Sequence, residues 1–268
     1  MLGEEDPSVK QHVSMLASMA RKLERQYGPD SPNTVECKFF YGEALMVVEK
    51  KYSDALPHLL RGFDFAELIT PSVYAPGEAT IVFGDSLAHC IRLLTNTSRN
   101  DTTEGKRNTS PAIDLQDASF NNTLAKAAAV VETREKQYGP NNEKTLQAVY
   151  THGILLLALE RYSEALPLLR HTFYSAKPWS WSEPNADGTK RKRKPYDEVA
   201  SIVGAELGRC LILLKDFEGA KDMLTPLLAN TKQNVPNQIF ADDLADLLAE
   251  ATKQLALDLL AKATTVDD

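Results

Sequence analysis

Apolar residues recur along this chain at three- and four-residue intervals, in segments of twelve to twenty residues, and strict alternation is rare. That periodicity places apolar side chains on one helical stripe and argues against half-buried strands. Breakers fall between the segments: Gly28-Pro29, Pro71, Pro76-Gly77, Gly139-Pro140, Pro178, Pro195 and Pro236. The pattern predicts an all-α chain with helices over 7–27, 33–50, 52–69, 77–95, 118–138, 143–160, 162–176, 197–214, 216–230 and 236–262. Two long polar connections remain, at 96–117 and 177–195. Both exceed an ordinary helix–helix turn.

The segments repeat. Arg25-Gln26-Tyr27-Gly28-Pro29 returns as Lys136-Gln137-Tyr138-Gly139-Pro140, and Tyr52-Ser53-Asp54-Ala55-Leu56-Pro57 as Tyr162-Ser163-Glu164-Ala165-Leu166-Pro167. The offset is 111 for the first pair and 110 for the second, so one residue is gained or lost between Glu49 and Tyr52. Cys90 and Leu93-Leu94 fall on Cys210 and Leu213-Leu214. The chain reads as two related halves, and each half divides again. Gly153 precedes Ala165 by twelve residues, and Gly208 precedes Ala220 by twelve. An aromatic (Tyr162, Phe217) stands three before each alanine and a leucine (Leu169, Leu224) four after it, which sets all three on one stripe. A small residue on one helix lets the next approach closely, the alanine fits the gap, and the larger side chains fill the space beside it.

Helical pairs with Gly, aromatic, Ala and Leu at these spacings resemble tetratricopeptide repeats. The run Glu132-Thr133-Arg134-Glu135-Lys136-Gln137-Tyr138-Gly139-Pro140-Asn141-Asn142 resembles the longer repeat of kinesin light chains and their relatives. In that variant an extended second helix ends in Arg-Glu-Lys and turns a hydrophobic-Gly-Pro corner. Residues 19–29 form a looser copy. The resemblance covers nearly the whole chain, as a single domain over 1–268 with insertions at 96–117 and 177–195. Two departures stand out: thirteen residues, not twelve, separate Gly42 from Ala55, and the unit at Leu87-Ala88 is split by the first insertion.

The resemblance implies a right-handed superhelical solenoid of antiparallel helix pairs, about four pairs plus flanking helices, stacked because one pair cannot bury its apolar stripe alone. It implies that the first helix of each pair lines a concave face. In this sequence the inward positions become Glu36, Phe39, Glu43 and Met46; Asp85, His89 and Arg92; Gln147, Tyr150 and Ile154; and Ala205 and Arg209. Phe39 and Glu43 stand where a carboxylate-clamp repeat has Lys and Asn, so an extended or helical peptide with apolar anchors fits better than a free C-terminus. The alternative for Phe39, Met46 and Tyr150 is that they fill space between helices. The last helix, with Leu244, Leu247, Leu248, Ala251, Leu255 and Leu259 on one stripe, reads as a cap that seals the final repeat.

Composition narrows the function classes. At 268 residues, 43% hydrophobic and 25% charged, the chain has the make-up of a folded globular protein. No apolar run reaches the length of a membrane-spanning helix, so no membrane insertion is expected. The start, Met1-Leu2-Gly3-Glu4-Glu5-Asp6, does not read as a secretory signal, which points to a cytoplasmic protein. A net charge of −7 gives no global attraction for nucleic acid. The exception is local: Lys190, Arg191, Lys192, Arg193 and Lys194 form a basic run with three readings, a nuclear-import signal, a solvated loop, or a contact for phosphate or an acidic partner. Trp179 and Trp181 lie beside it as candidate anchors or partner contacts.

Cys37, Cys90 and Cys210 are odd in number and scattered, which suits buried reduced thiols rather than a disulfide framework or zinc site. Four Asn-X-Ser/Thr triplets, at Asn96, Asn100, Asn108 and Asn121, read as products of a polar stretch. The sequence holds no GxSxG elbow, phosphate-binding GxxxxGK[ST] loop, GxGxxG fingerprint or HExxH pair. The expectation is therefore a non-catalytic scaffold or adaptor without cofactor or metal, binding a protein or peptide partner. The alternative is a regulatory or substrate-binding helical domain of a larger enzyme or assembly.

Overall fold

The computed structural model describes residues 7–66, 78–103, 117–175, 196–234 and 238–264, and every secondary-structure element among them is an α-helix. In chain order these are α1 (Pro7–Tyr27), α2 (Pro32–Val47), α3 (Tyr52–Phe65), α4 (Glu78–Thr103), α5 (Ala118–Tyr138), α6 (Glu143–Ala158), α7 (Tyr162–Ser175), α8 (Tyr196–Leu213), α9 (Phe217–Asn234) and α10 (Gln238–Thr264). They form two compact units, Met1–Val130 and Val131–Asp268, with α5 beginning in the first and ending in the second. In the first unit α1 packs on α2, α2 on α3 and α3 on α4, and α2 also touches α4. In the second, each helix from α6 to α10 packs on the next, and α8 touches both α6 and α10.

Local chemistry sets the corners. Gly28 and Gly139 take φ of +86° and +87°, the left-handed region that glycine enters without a Cβ penalty. Their N–H groups donate to the carbonyls of Glu24 and Glu135, at 3.0 and 2.8 Å, and close α1 and α5. The next helices then start on polar caps: Ser31 Oγ accepts from Thr34 N–H, and Asn142 Oδ1 from Lys144 N–H. Behind these caps Thr34 and Thr145 are buried, and the Thr145 hydroxyl donates to the Gly139 carbonyl at 2.8 Å.

The opposite ends of α2, α6 and α8 also match. Each is followed by a non-glycine residue with positive φ: Lys50 (53°), Glu160 (61°) and Lys215 (63°). After α6 and α8 the Arg161 and Asp216 N–H groups reach back five residues, to the carbonyls of Leu156 and Leu211, both at 2.9 Å. After α2 the Lys51 N–H reaches back six, to Leu45 at 3.0 Å. The extra residue between Gly42 and Ala55 therefore sits in this turn and leaves the helix packing undisturbed.

That packing follows the predicted spacing. Ala55, Ala165, Ala220, Leu59, Leu169 and Leu224 are all fully buried. A Cβ added to Gly153 would lie 3.0 Å from Leu169 Cδ2, and one added to Gly208 would lie 2.7 Å from Leu224 Cδ2, so at each glycine the facing helix leaves no room for a larger residue. The cysteines match in detail: Cys90 Sγ lies 3.5 Å from the Tyr52 carbonyl and Cys210 Sγ 3.5 Å from that of Tyr162. Burial drives the two thiols up to about 12 and about 11, and they are free, as is buried Cys37.

Three expectations need correction. α4 does not stop at residue 95 but continues to Thr103, so the polar stretch begins as helix. Asn96 and Asn100 accordingly lie on a helix, and Asn96 is exposed there. α10 packs on α9 and α8, but its stripe is not covered to the end: Leu244 and Ala251 are fully buried, whereas Leu259 is 58% exposed. The leucine stripe thus outruns the surface it covers. Phe39, expected on a groove, is fully buried and is treated next.

Candidate functional site

In the first unit the candidate residues sit on α2 and α4, which touch. Glu36 and Glu43 are seven residues apart on α2, and Asp85, His89 and Arg92 are spaced by four and three on α4, so each set forms one row. The rows are joined by the Ser86 hydroxyl, which donates to Glu43 Oε1 at 2.5 Å. Glu43 is half-buried, and burial pushes its carboxyl above the usual range, opposed by the bond from Ser86. Glu36, Asp85 and Arg92 are half-buried and His89 is exposed.

Phe39 does not join this row. Its ring stacks on Phe83 with centroids 3.8 Å apart and planes 25° apart, and it lies against Gly62, where an added Cβ would approach its Cδ2 to 2.6 Å. It belongs to the core between α2, α3 and α4. Met46, Ile154 and Ala205 are likewise buried. The larger apolar candidates are thus covered, and only the polar ones and Tyr150 keep exposure.

In the second unit Gln147 and Tyr150 lie half-buried on α6, and the Gln147 amide donates to Glu143 of its own helix at 3.4 Å. Arg209 on α8 is held by two carboxylates. Its Nε lies 3.6 Å from Glu206 Oε2, and its Nη2 donates to Asp243 Oδ1 on α10 at 3.4 Å. This tie crosses from α8 to α10 and offsets the guanidinium charge. Glu206, Asp243 and Ser86 escaped the sequence reading. The Glu206–Arg209 spacing of three was a readable signal, but no spacing could announce partners on separate helices.

Both faces are polar and lean acidic, with Tyr150 the one aromatic among the candidates that keeps some exposure. Among the described residues no group of three or more His, Cys, Asp or Glu is arranged to hold a metal ion, and no helix is long and apolar enough to cross a membrane. Lys190, Arg191, Lys192, Arg193 and Lys194, with Trp179 and Trp181, lie outside the described residues. Neither the protein-family models nor the curated proteins contain a match to this chain.

Proposed function

We propose that this chain is a non-catalytic helical-repeat scaffold of the tetratricopeptide kind, a solenoid of antiparallel helix pairs that holds a peptide or partner subunit on the faces of its first helices. The observation that carries the reading is the recurrence of one packing unit: the Gly–Leu contacts of α6–α7 and α8–α9, the buried alanines, and the matched Cys-to-carbonyl contacts. Stacked units of this kind leave the side chains of successive first helices in rows, available to a partner. Carboxylates outnumber cations in those rows, so the partner segment carries basic or hydrogen-bond-donating groups, with an apolar residue for Tyr150.

The test is capture of a stoichiometric partner from the native source, then its binding to Glu43→Lys/Tyr150→Ala. These side chains are only half-buried, so the helical circular dichroism should persist while affinity falls about thirtyfold, the usual loss with an aromatic anchor. Unchanged binding by the double variant would exclude these faces. Neutralising Lys190 to Lys194 should change cellular location or the salt dependence of association more than affinity for the first-helix faces.

A further inference from the structure

Two helices, α1 and α10, each leave a face uncovered, and the faces are complementary. α1 packs on α2, and its outward stripe holds Met15, Ser18, Lys22 and Arg25, with Met15 55% exposed. Beside it a shallow open cavity of about 510 Å³ is lined by Ser18, Arg21, Lys22, Arg25 and Gln26. The single carboxylate of α1, Glu24, is turned to α2 and bound to Lys38 Nζ at 2.7 Å, so nothing on the helix offsets the outward cations. On α10, Asp246, Glu250, Lys253, Leu257 and Leu260 follow at intervals of three and four, on the side away from Leu244 and Ala251. Asp246 is exposed, and the Glu250 side chain is 46% exposed. Leu257 and Leu260 are 50% and 63% exposed.

We propose that α1 of one copy docks on α10 of a second, antiparallel, so that the chain self-associates head to tail. Arg25 then lies over Asp246 and Lys22 over Glu250, a step of three residues on α1 against four on α10. The mismatch is about 1.5 Å, which the long side chains absorb. From Lys22 back to Met15 is seven residues, as it is from Glu250 forward to Leu257, or about 10 Å on each helix. The exposed methionine therefore meets the exposed leucine in the same register.

Glu250 keeps an oxygen for this contact. Its Oε1 accepts from the Gln254 amide at 2.7 Å, but its Oε2 stands 4.0 Å from Lys253 Nζ, too far for a hydrogen bond. Lys253 itself comes opposite neutral Ser18, and the neighbouring cation, Arg21, is turned back along α1, its Nε donating to the Ala17 carbonyl at 3.2 Å. A nucleic acid or anionic membrane would answer the cations of α1 but be repelled by a chain of net charge −7, and it would leave the leucines of α10 in water. A second copy satisfies both faces at once. The contact is heterologous, since each copy offers one α1 and one α10.

Sedimentation velocity of the full chain tests this with two charge reversals, Lys22→Glu/Arg25→Glu and Asp246→Lys/Glu250→Lys. Wild type should associate with rising concentration at about 50 mM salt and dissociate at about 500 mM. Each reversal alone opposes like charges and should weaken association roughly tenfold or more. An equimolar mixture of the two restores opposite signs at both contacts and should recover wild-type association. The proposal is overturned if wild type stays monomeric at low salt up to about 1 mM, if either reversal associates like wild type, or if the mixture fails to recover. None of the four side chains is buried, and unchanged circular dichroism confirms that a loss is one of contact.

Discussion

Glu160 holds φ of 61° at the end of α6, a conformation that costs a non-glycine residue roughly 1 kcal/mol. Its N–H and that of Arg161 close the helix, on Leu157 and Leu156, so the backbone of the turn holds the conformation. Glu160→Gly should therefore raise stability by about 0.5–1 kcal/mol in urea titration, against the ordinary penalty for glycine. Gly139→Ala should do the reverse by a similar amount, because its φ is +87° with no neighbour within 4 Å to clash. Equal and unchanged midpoints would show that these turns relax. Gly139 was readable from the Gly-Pro pair that follows a helical run. Glu160 was not, since nothing in a glutamate announces a left-handed residue; the bonds around it do. Phe39 shows the same limit: its period marks the right stripe of α2, but only the ring of Phe83 on α4 decides whether that stripe is open or covered.

Helix packing was the most legible level, because glycine, alanine and leucine at fixed offsets have few other uses. Ala165 is fully buried on α7, one turn before Leu169, whose side chain faces Gly153 of α6. Ala165→Glu would force a larger, charged side chain into that fully buried position, which costs on the order of 3–5 kcal/mol. A melting temperature within a degree or two of wild type would remove Ala165 from the interface. The end of α4 was illegible for a related reason. Asn, Thr and Ser at 96–103 favour loops by propensity, yet the Thr97 hydroxyl donates to the Leu93 carbonyl one turn back and stays compatible with a helix. The far end of α10 failed oppositely: its stripe continues to Leu259, which is left exposed.

Each compact unit carries one half-buried histidine whose surroundings oppose its charge. In the first, burial pushes the His58 pKa down, helped by the Lys38 ammonium and resisted by Asp54 and Glu24. In the second, burial pushes His152 down, helped by Arg161 and resisted by Glu164. A depressed imidazole is neutral in the fold, while the unfolded chain titrates near the ordinary value of about 6.5. Between the two values the unfolded state binds more protons, so stability rises with pH there and is lost as pH falls below about 6.5. Glu43 has the opposite sign. Burial raises its pKa, so its contribution favours the fold at acid pH and is lost as pH rises through the raised value. Wild type should therefore lose stability from pH 7 to 5.5, by at most about 1.4 kcal/mol per pH unit for each histidine. His58→Gln and His152→Gln should each remove part of that slope and the double variant most of it, read as the melting temperature against pH. Hydrogen exchange would assign the parts, with His58→Gln flattening the acid response of α2 and α3 and His152→Gln that of α6 and α7. A double variant with the full wild-type slope would place the acid sensitivity in other groups.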